Sequence, residues 1–157
     1  MRHSLRVIFT ALFFTGILFS CAYCEELQIA QLVDQFKQGT DVQRDELQDF
    51  YKDKEIVGFG TVENAREYNT FDEANDIERT YHEVITNVQK TARGNPYKVI
   101  FIYKNSDKIK NIDRGQAIEK RAKILRVIDD RLWISVWLYE EEFTPEEKLQ
   151  FRQFWYR

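Results

Sequence analysis

Residues 55–63 read EIVGFGTVE, a period-two run bounded by charged residues, with Gly58 and Gly60 on the same face. The alternation predicts a strand. Two glycines on one face of a strand permit strong coiling or a close approach of another chain segment. That is what the first strand of a small closed sheet needs.

Working outward, the chain repeats this grammar. Asn64 to Asn75 is polar and reads as a loop, and Tyr81 to Val88 as a second strand. Gly94-Asn95-Pro96 marks a turn into a third strand, Tyr97 to Lys104. Ser106 to Ile112 has room for a short helix or turn, and Asp113-Arg114-Gly115 turns into a fourth strand, Gln116 to Ile128. Asp129-Asp130 then leads to a fifth, Leu132 to Tyr139. The expected fold class is mainly β with flanking helices. Five strands with a connector between the third and fourth is the layout of a five-stranded OB-fold-like barrel.

Helices are expected at both ends of this β region. Ile29, Leu32, Val33 and Phe36 form a single-face stripe, Gly39 ends that helix, and Thr40 with Gln43 forms a capping box for a second. Leu47, Phe50 and Tyr51 are its expected buried side. Thr144-Pro145-Glu146-Glu147 combines a capping box, Pro at the first helical position and first-turn acids, so a C-terminal helix should run to near Arg157. Phe151, Phe154 and Trp155 are its apolar face.

Residues 41–62, DVQRDELQDFYKDKEIVGFGTV, resemble the entry to bacterial exported OB-fold domains related to the tRNA-anticodon-binding type. In those domains a short helix, a tyrosine and a lysine-rich turn precede a strand of V-x-G-x-V pattern. Val99 to Tyr103 (VIFIY) and Ile112-Asp113-Arg114-Gly115-Gln116 are similar to their hydrophobic strand followed by a Lys-Gly-Asp turn. The resemblance covers roughly residues 40 to 140. The chain departs from it in the acidic stretch Glu63 to Glu78 and in Arg114-Gly115-Gln116. It implies a fold and no particular activity.

The start of the chain reads as an export signal. Arg2 and Arg6 flank Val7 to Phe19, an almost wholly apolar run that is short for a membrane span of ~20 residues but suits a signal peptide. Residues 1–22 are therefore set aside as a signal, and 25–157 as one domain. Cleavage after Ala22 or after Cys24 fits the small-residue rule, and a signal left uncleaved as a membrane anchor is the other alternative. Leu18-Phe19-Ser20-Cys21 resembles a bacterial lipobox, which makes Cys21 a lipidation candidate. The expected localisation is periplasmic, membrane-anchored as a lipoprotein, or secreted. Cys21 and Cys24 are the only cysteines, so the body has neither a disulfide framework nor a cysteine-based metal site.

Removing the signal leaves about 133 residues with a net charge of about −5, a usual size for one domain. An acidic body argues against generic phosphate-backbone binding. His82 is the only histidine after the signal and lacks metal-motif spacing, and the acids Asp72, Glu73, Asp76 and Glu78 read as a solvated loop. No nucleophile motif or phosphate-cradling glycine loop is present, so binding is favoured over catalysis and no cofactor is expected.

In the fifth strand Leu132, Ile134, Val136 and Leu138 should face the core, and Trp133, Ser135, Trp137 and Tyr139 the opposite side. That outer set is either a stacking surface or the seat of the C-terminal helix, and the helix, which needs an apolar partner, favours the second. The functional expectation is an exported, envelope-associated OB-fold binding module for a partner protein or small ligand. The alternative is nucleic-acid or oligosaccharide binding on Trp133, Trp137 and Tyr139, with Lys120, Arg121 and Lys123 beside them.

Overall fold

The computed structural model describes residues 28–72 and 77–151. Among the described residues the fold is mainly β with three α-helices. Helices α1 (Ile29–Gln38) and α2 (Asp41–Tyr51) come first, followed by β1 (Glu55–Asp72), β2 (Ile77–Thr86) and the short β3 (Gln89–Lys90). Then come β4 (Pro96–Tyr103), a 3-10 turn (Ser106–Lys108), β5 (Ala117–Asp129), β6 (Ile134–Tyr139) and α3 (Pro145–Gln150). The export-signal reading and its Cys21 fall outside the described residues, as do Phe154 and Trp155. Among the described residues no helix is long and apolar enough to cross a membrane.

The six strands form one sheet in the order β2-β1-β5-β6-β4-β3, and β2 also pairs with β4. Five strands therefore close a ring, β1-β2-β4-β6-β5 and back to β1. Every pairing in the ring is antiparallel except β4 with β6, which is parallel. Closure depends on β1 serving two partners. Its first half, Glu55 to Thr61, pairs with β5, and after a register shift between Val62 and Asn64 the rest pairs with β2. Bulges of this kind bend a strand and increase its twist.

This length corrects the expected Asn64–Asn75 loop, because residues up to Asp72 continue the strand. Hairpin pairing with β2 satisfies their backbone groups, so polar side chains suffice there.

Gly58 and Gly60 do share the inner face, with Ile56 and Val62 buried on either side. A Cβ at Gly58 would collide with Leu138 and lie 2.8 Å from the Phe101 ring; one at Gly60 would lie 2.8 Å from Thr86 Cβ. The ring is filled at the expense of these two side chains.

Two apolar clusters result. Inside the ring, Val84, Val99, Phe101, Ile124, Val127, Ile134, Val136 and Leu138 pack together with the α1 stripe Ile29, Leu32, Val33 and Phe36. On the outer face of β2, β4 and β6 a second cluster joins Tyr81, Ile100, Ile102, Trp137 and Tyr139 to Phe143 and Phe151 from the C-terminal segment.

Both expected capping boxes form, Thr40 with Gln43 and Thr144 with Glu147. Phe50 is a correction: it is 61% exposed, with the Lys54 ammonium 3.0 Å from its ring centroid, while Tyr51 is buried. Leu132 is another. It lies in a turn before β6, where Leu132 N–H donates to Asp130 O and Arg131 has φ 68°, so it stays 71% exposed.

Candidate functional site

The sequence Ile124-Leu125-Arg126-Val127-Ile128 sets a charged residue inside an apolar strand. Strict alternation from Ile124, which faces the ring interior, would send Arg126 into the core. A register shift between Ile124 and Arg126 prevents this: Ile124 stands opposite Leu138, yet Arg126 stands opposite Trp137. The extra residue turns both Leu125 and Arg126 outward and returns Val127 to the core. The α2 side chain Gln48 holds the bulge, accepting a 2.6 Å hydrogen bond from Val127 N–H. The α2–β1 turn holds it from the other side, with Asp53 N–H donating to Ile124 O and Ile124 N–H to Lys54 O.

A cleft of about 750 Å³ opens between α2 and β5 at this bulge. Leu125, Arg126 and Asp129 line it from β5, Arg44 and Gln48 from α2, Lys52 from just after that helix, and Phe36 from α1, while Lys148 and Phe151 contribute from the C-terminal segment. Asp41, Asp45 and Asp49 add acids along α2. Asp129 is already engaged, 3.0 Å from Lys37 and 3.5 Å from Arg44.

Arg126 is 6% exposed. Its guanidinium carbon lies 4.0 Å from the Trp137 ring centroid and 5.9 Å from that of Phe151. One terminal nitrogen donates to the Phe151 carbonyl, and the Tyr68 hydroxyl also engages the group. Among the described residues no carboxylate pairs with it at ion-pair distance. Burial draws its pKa below the ordinary value, opposed by Tyr68 and by the charges of Asp130 and Glu83. Among the described residues its Nε–H has no hydrogen-bond partner, and the same holds for Trp137 Nε1 and Gln150 Nε2 in the covered face. All three are donors. Buried donors without acceptors are uncommon in folded chains and costly.

The C-terminal segment is latched beside the cleft. Asp53 accepts hydrogen bonds from the Tyr139 hydroxyl at 2.5 Å and from Lys148 Nζ at 2.9 Å. Burial and then the Asp53 bond push the Tyr139 phenol up to about 12. Burial alone would raise Asp53, but the bonds from Tyr139 and Lys148 outweigh it and hold the carboxyl below its ordinary range. Glu147 behaves likewise. Lys104 at 2.8 Å, the Thr144 N–H and the charge of Arg79 overcome its burial and lower it.

The residues singled out by sequence are dispersed. Trp137 and Tyr139 are buried beneath Phe143 and Phe151, whereas Trp133 lies before β6, half-buried, with Lys98 Nζ 4.5 Å from its ring. Lys120 is the cross-strand partner of Gly58 and points to the inner side, where it pairs with Glu140 at 2.8 Å. Arg121 and Lys123 face outward, 3.8 Å from Glu55 and 2.5 Å from Glu142 respectively. The three cations therefore do not form one basic patch with the tryptophans. His82 is buried in β2, and among the described residues no group of three or more His, Cys, Asp or Glu could hold a metal ion. Arg126 was missed, although a lone arginine between Leu125 and Val127 is a readable signal for a buried cation. No protein-family model matches the chain, and no curated protein matches it in sequence.

Proposed function

We propose that the chain is an exported binding module of OB-fold type that takes a small ligand in the cleft between α2 and β5. The observation that carries the OB-type reading is the connectivity of the closed ring, β1-β2-β4-β6-β5, with β4 and β6 as its one parallel pair. In this scheme β4 corresponds to the third strand of a five-stranded barrel, and the 3-10 turn to its connector. Fold type does not name a ligand. The cleft supports a binding role through its size, which lies within the ~300–1,000 Å³ usual for small-molecule sites, and through the buried cation on its wall. The export part of the reading rests on residues 1–22, with lipidation at Cys21 as one processing outcome.

The test is intact mass and N-terminal sequencing of the protein recovered from the membrane and soluble fractions of its native source, under conditions gentle enough to keep a bound molecule. The expected result is a chain lacking its first ~20 residues, with or without lipid on Cys21. An intact Met1 terminus in a cytoplasmic fraction would refute export.

A further inference from the structure

We infer that the Arg126 cleft binds a small monoanionic carboxylate carried on an apolar body, a ligand class that rests on the binding-module reading above. Arg126 is nine-tenths buried, lines the cleft, and has no carboxylate partner at ion-pair distance among the described residues. Charged side chains are seldom buried without a partner, and a bare buried donor loses its hydration with nothing in return. The unmet group on the cleft wall is an N–H donor: Arg126 Nε has no acceptor among the described residues. An oxygen-rich anion is its complement. A guanidinium offers a planar edge that carboxylates match with two parallel hydrogen bonds.

The Phe151 carbonyl already accepts from one terminal nitrogen of this guanidinium, so the local geometry accommodates an oxygen acceptor. Arg126 lines the cleft, so a carboxylate seated there meets the guanidinium from the cleft side. The body of the ligand is apolar because Phe36, Leu125 and Phe151 line the space around Arg126. Single charge follows from the pairing of other cations on the lining: Arg44 and Lys148 are already engaged by Asp129 and Asp53, which leaves the buried Arg126 to neutralise one charge.

The experiment uses the processed full chain, 15N-labelled. Benzoate, indole-3-acetate and decanoate are each titrated while the arginine Nε–Hε resonance of Arg126 is followed, with benzamide as neutral control and phenyl phosphate as dianion. At least one carboxylate should shift that resonance saturably, with benzamide at least ~10-fold weaker and phenyl phosphate weaker than benzoate. Arg126→Lys, which keeps the charge but loses the planar edge, should weaken calorimetric affinity ~10-fold or more. The wild-type titration stands even where the variant fails to fold. Absence of a saturable shift with all three carboxylates, or equal binding of benzamide, overturns the inference. If neutral compounds stabilise the chain while the carboxylates do not, the carboxylate inference falls and the binding-module reading survives. If no small molecule of any class binds, both fall.

Discussion

The guanidinium of Arg126 stacks 4.0 Å from the indole centroid of Trp137, its cross-strand partner across the β5 bulge. This pair ties the cleft to the covered outer face. One residue of the pair lines the cleft, and the other lies under Phe151 in the second cluster.

The two β6-region tryptophans should therefore behave differently. Trp137→Ala removes a buried ring and its cation–π partner, and should cost about 3–5 kcal/mol. Trp133→Ala loses only a half-buried contact with Lys98, and should cost about 1 kcal/mol or less. Urea unfolding by circular dichroism measures both; equal costs would contradict the burial assigned to Trp137.

The C-terminal segment should be part of the fold's stability. Phe151 is fully buried against Tyr68, Tyr81, Trp137 and Phe143. Phe151→Ala should cost about 3–5 kcal/mol, and deletion of residues 144–157 at least as much. Exposure of the aromatic face would show as new binding of a hydrophobic dye. A truncated chain that kept its melting temperature would mean that the outer face needs no cover.

Gly58 should tolerate no side chain. Gly58→Ala drives a methyl into Leu138 and the Phe101 ring, and overpacking of this kind costs about 1–3 kcal/mol. A variant as stable as the parent in a denaturant melt would show that the ring interior has slack at this position.

Acid should loosen the C-terminal latch. Asp53 and Glu147 both sit below their ordinary values of 3.8 and 4.5 in the folded chain. A depressed folded pKa gives stabilisation that is present above the ordinary value and lost as pH falls through the folded one. The melting temperature should hold down to about pH 5 and fall below about pH 4. Asp53→Asn suits the left-handed backbone at φ 63° but cannot carry the charge. That variant should melt lower at pH 7 and show a shallower acid decline; an identical decline would remove Asp53 from the latch.

Local signals in the sequence carried well into the fold. The α1 stripe and the two capping boxes depend on residues three or four apart, and each forms as the spacing predicts. What depended on distant partners did not read through. Residues 64–72 look like a polar loop, because only the β2 ladder makes them a strand. Leu132 fits the alternation of β6 by its spacing, but the ladder starts at Ile134 and the preceding turn breaks the period. Phe50 sits on the helical stripe, yet its ring stays outside against the Lys54 ammonium while the neighbouring Tyr51 is buried. The cleft itself escaped, since it depends on one extra residue in β5 that no periodicity reveals. The apolar setting of Arg126 was its one visible trace.

The most direct test of the central claim is a thermal-shift screen of the processed chain and its Arg126→Lys variant against small molecules of varied charge. A ligand held at ~100 times its Kd stabilises by about 2.7 kcal/mol, a rise of roughly 5 °C or more for a domain of this size. The account predicts such a rise for at least one anionic compound, lost in the variant. No rise with any compound, or an equal rise in both proteins, would contradict it.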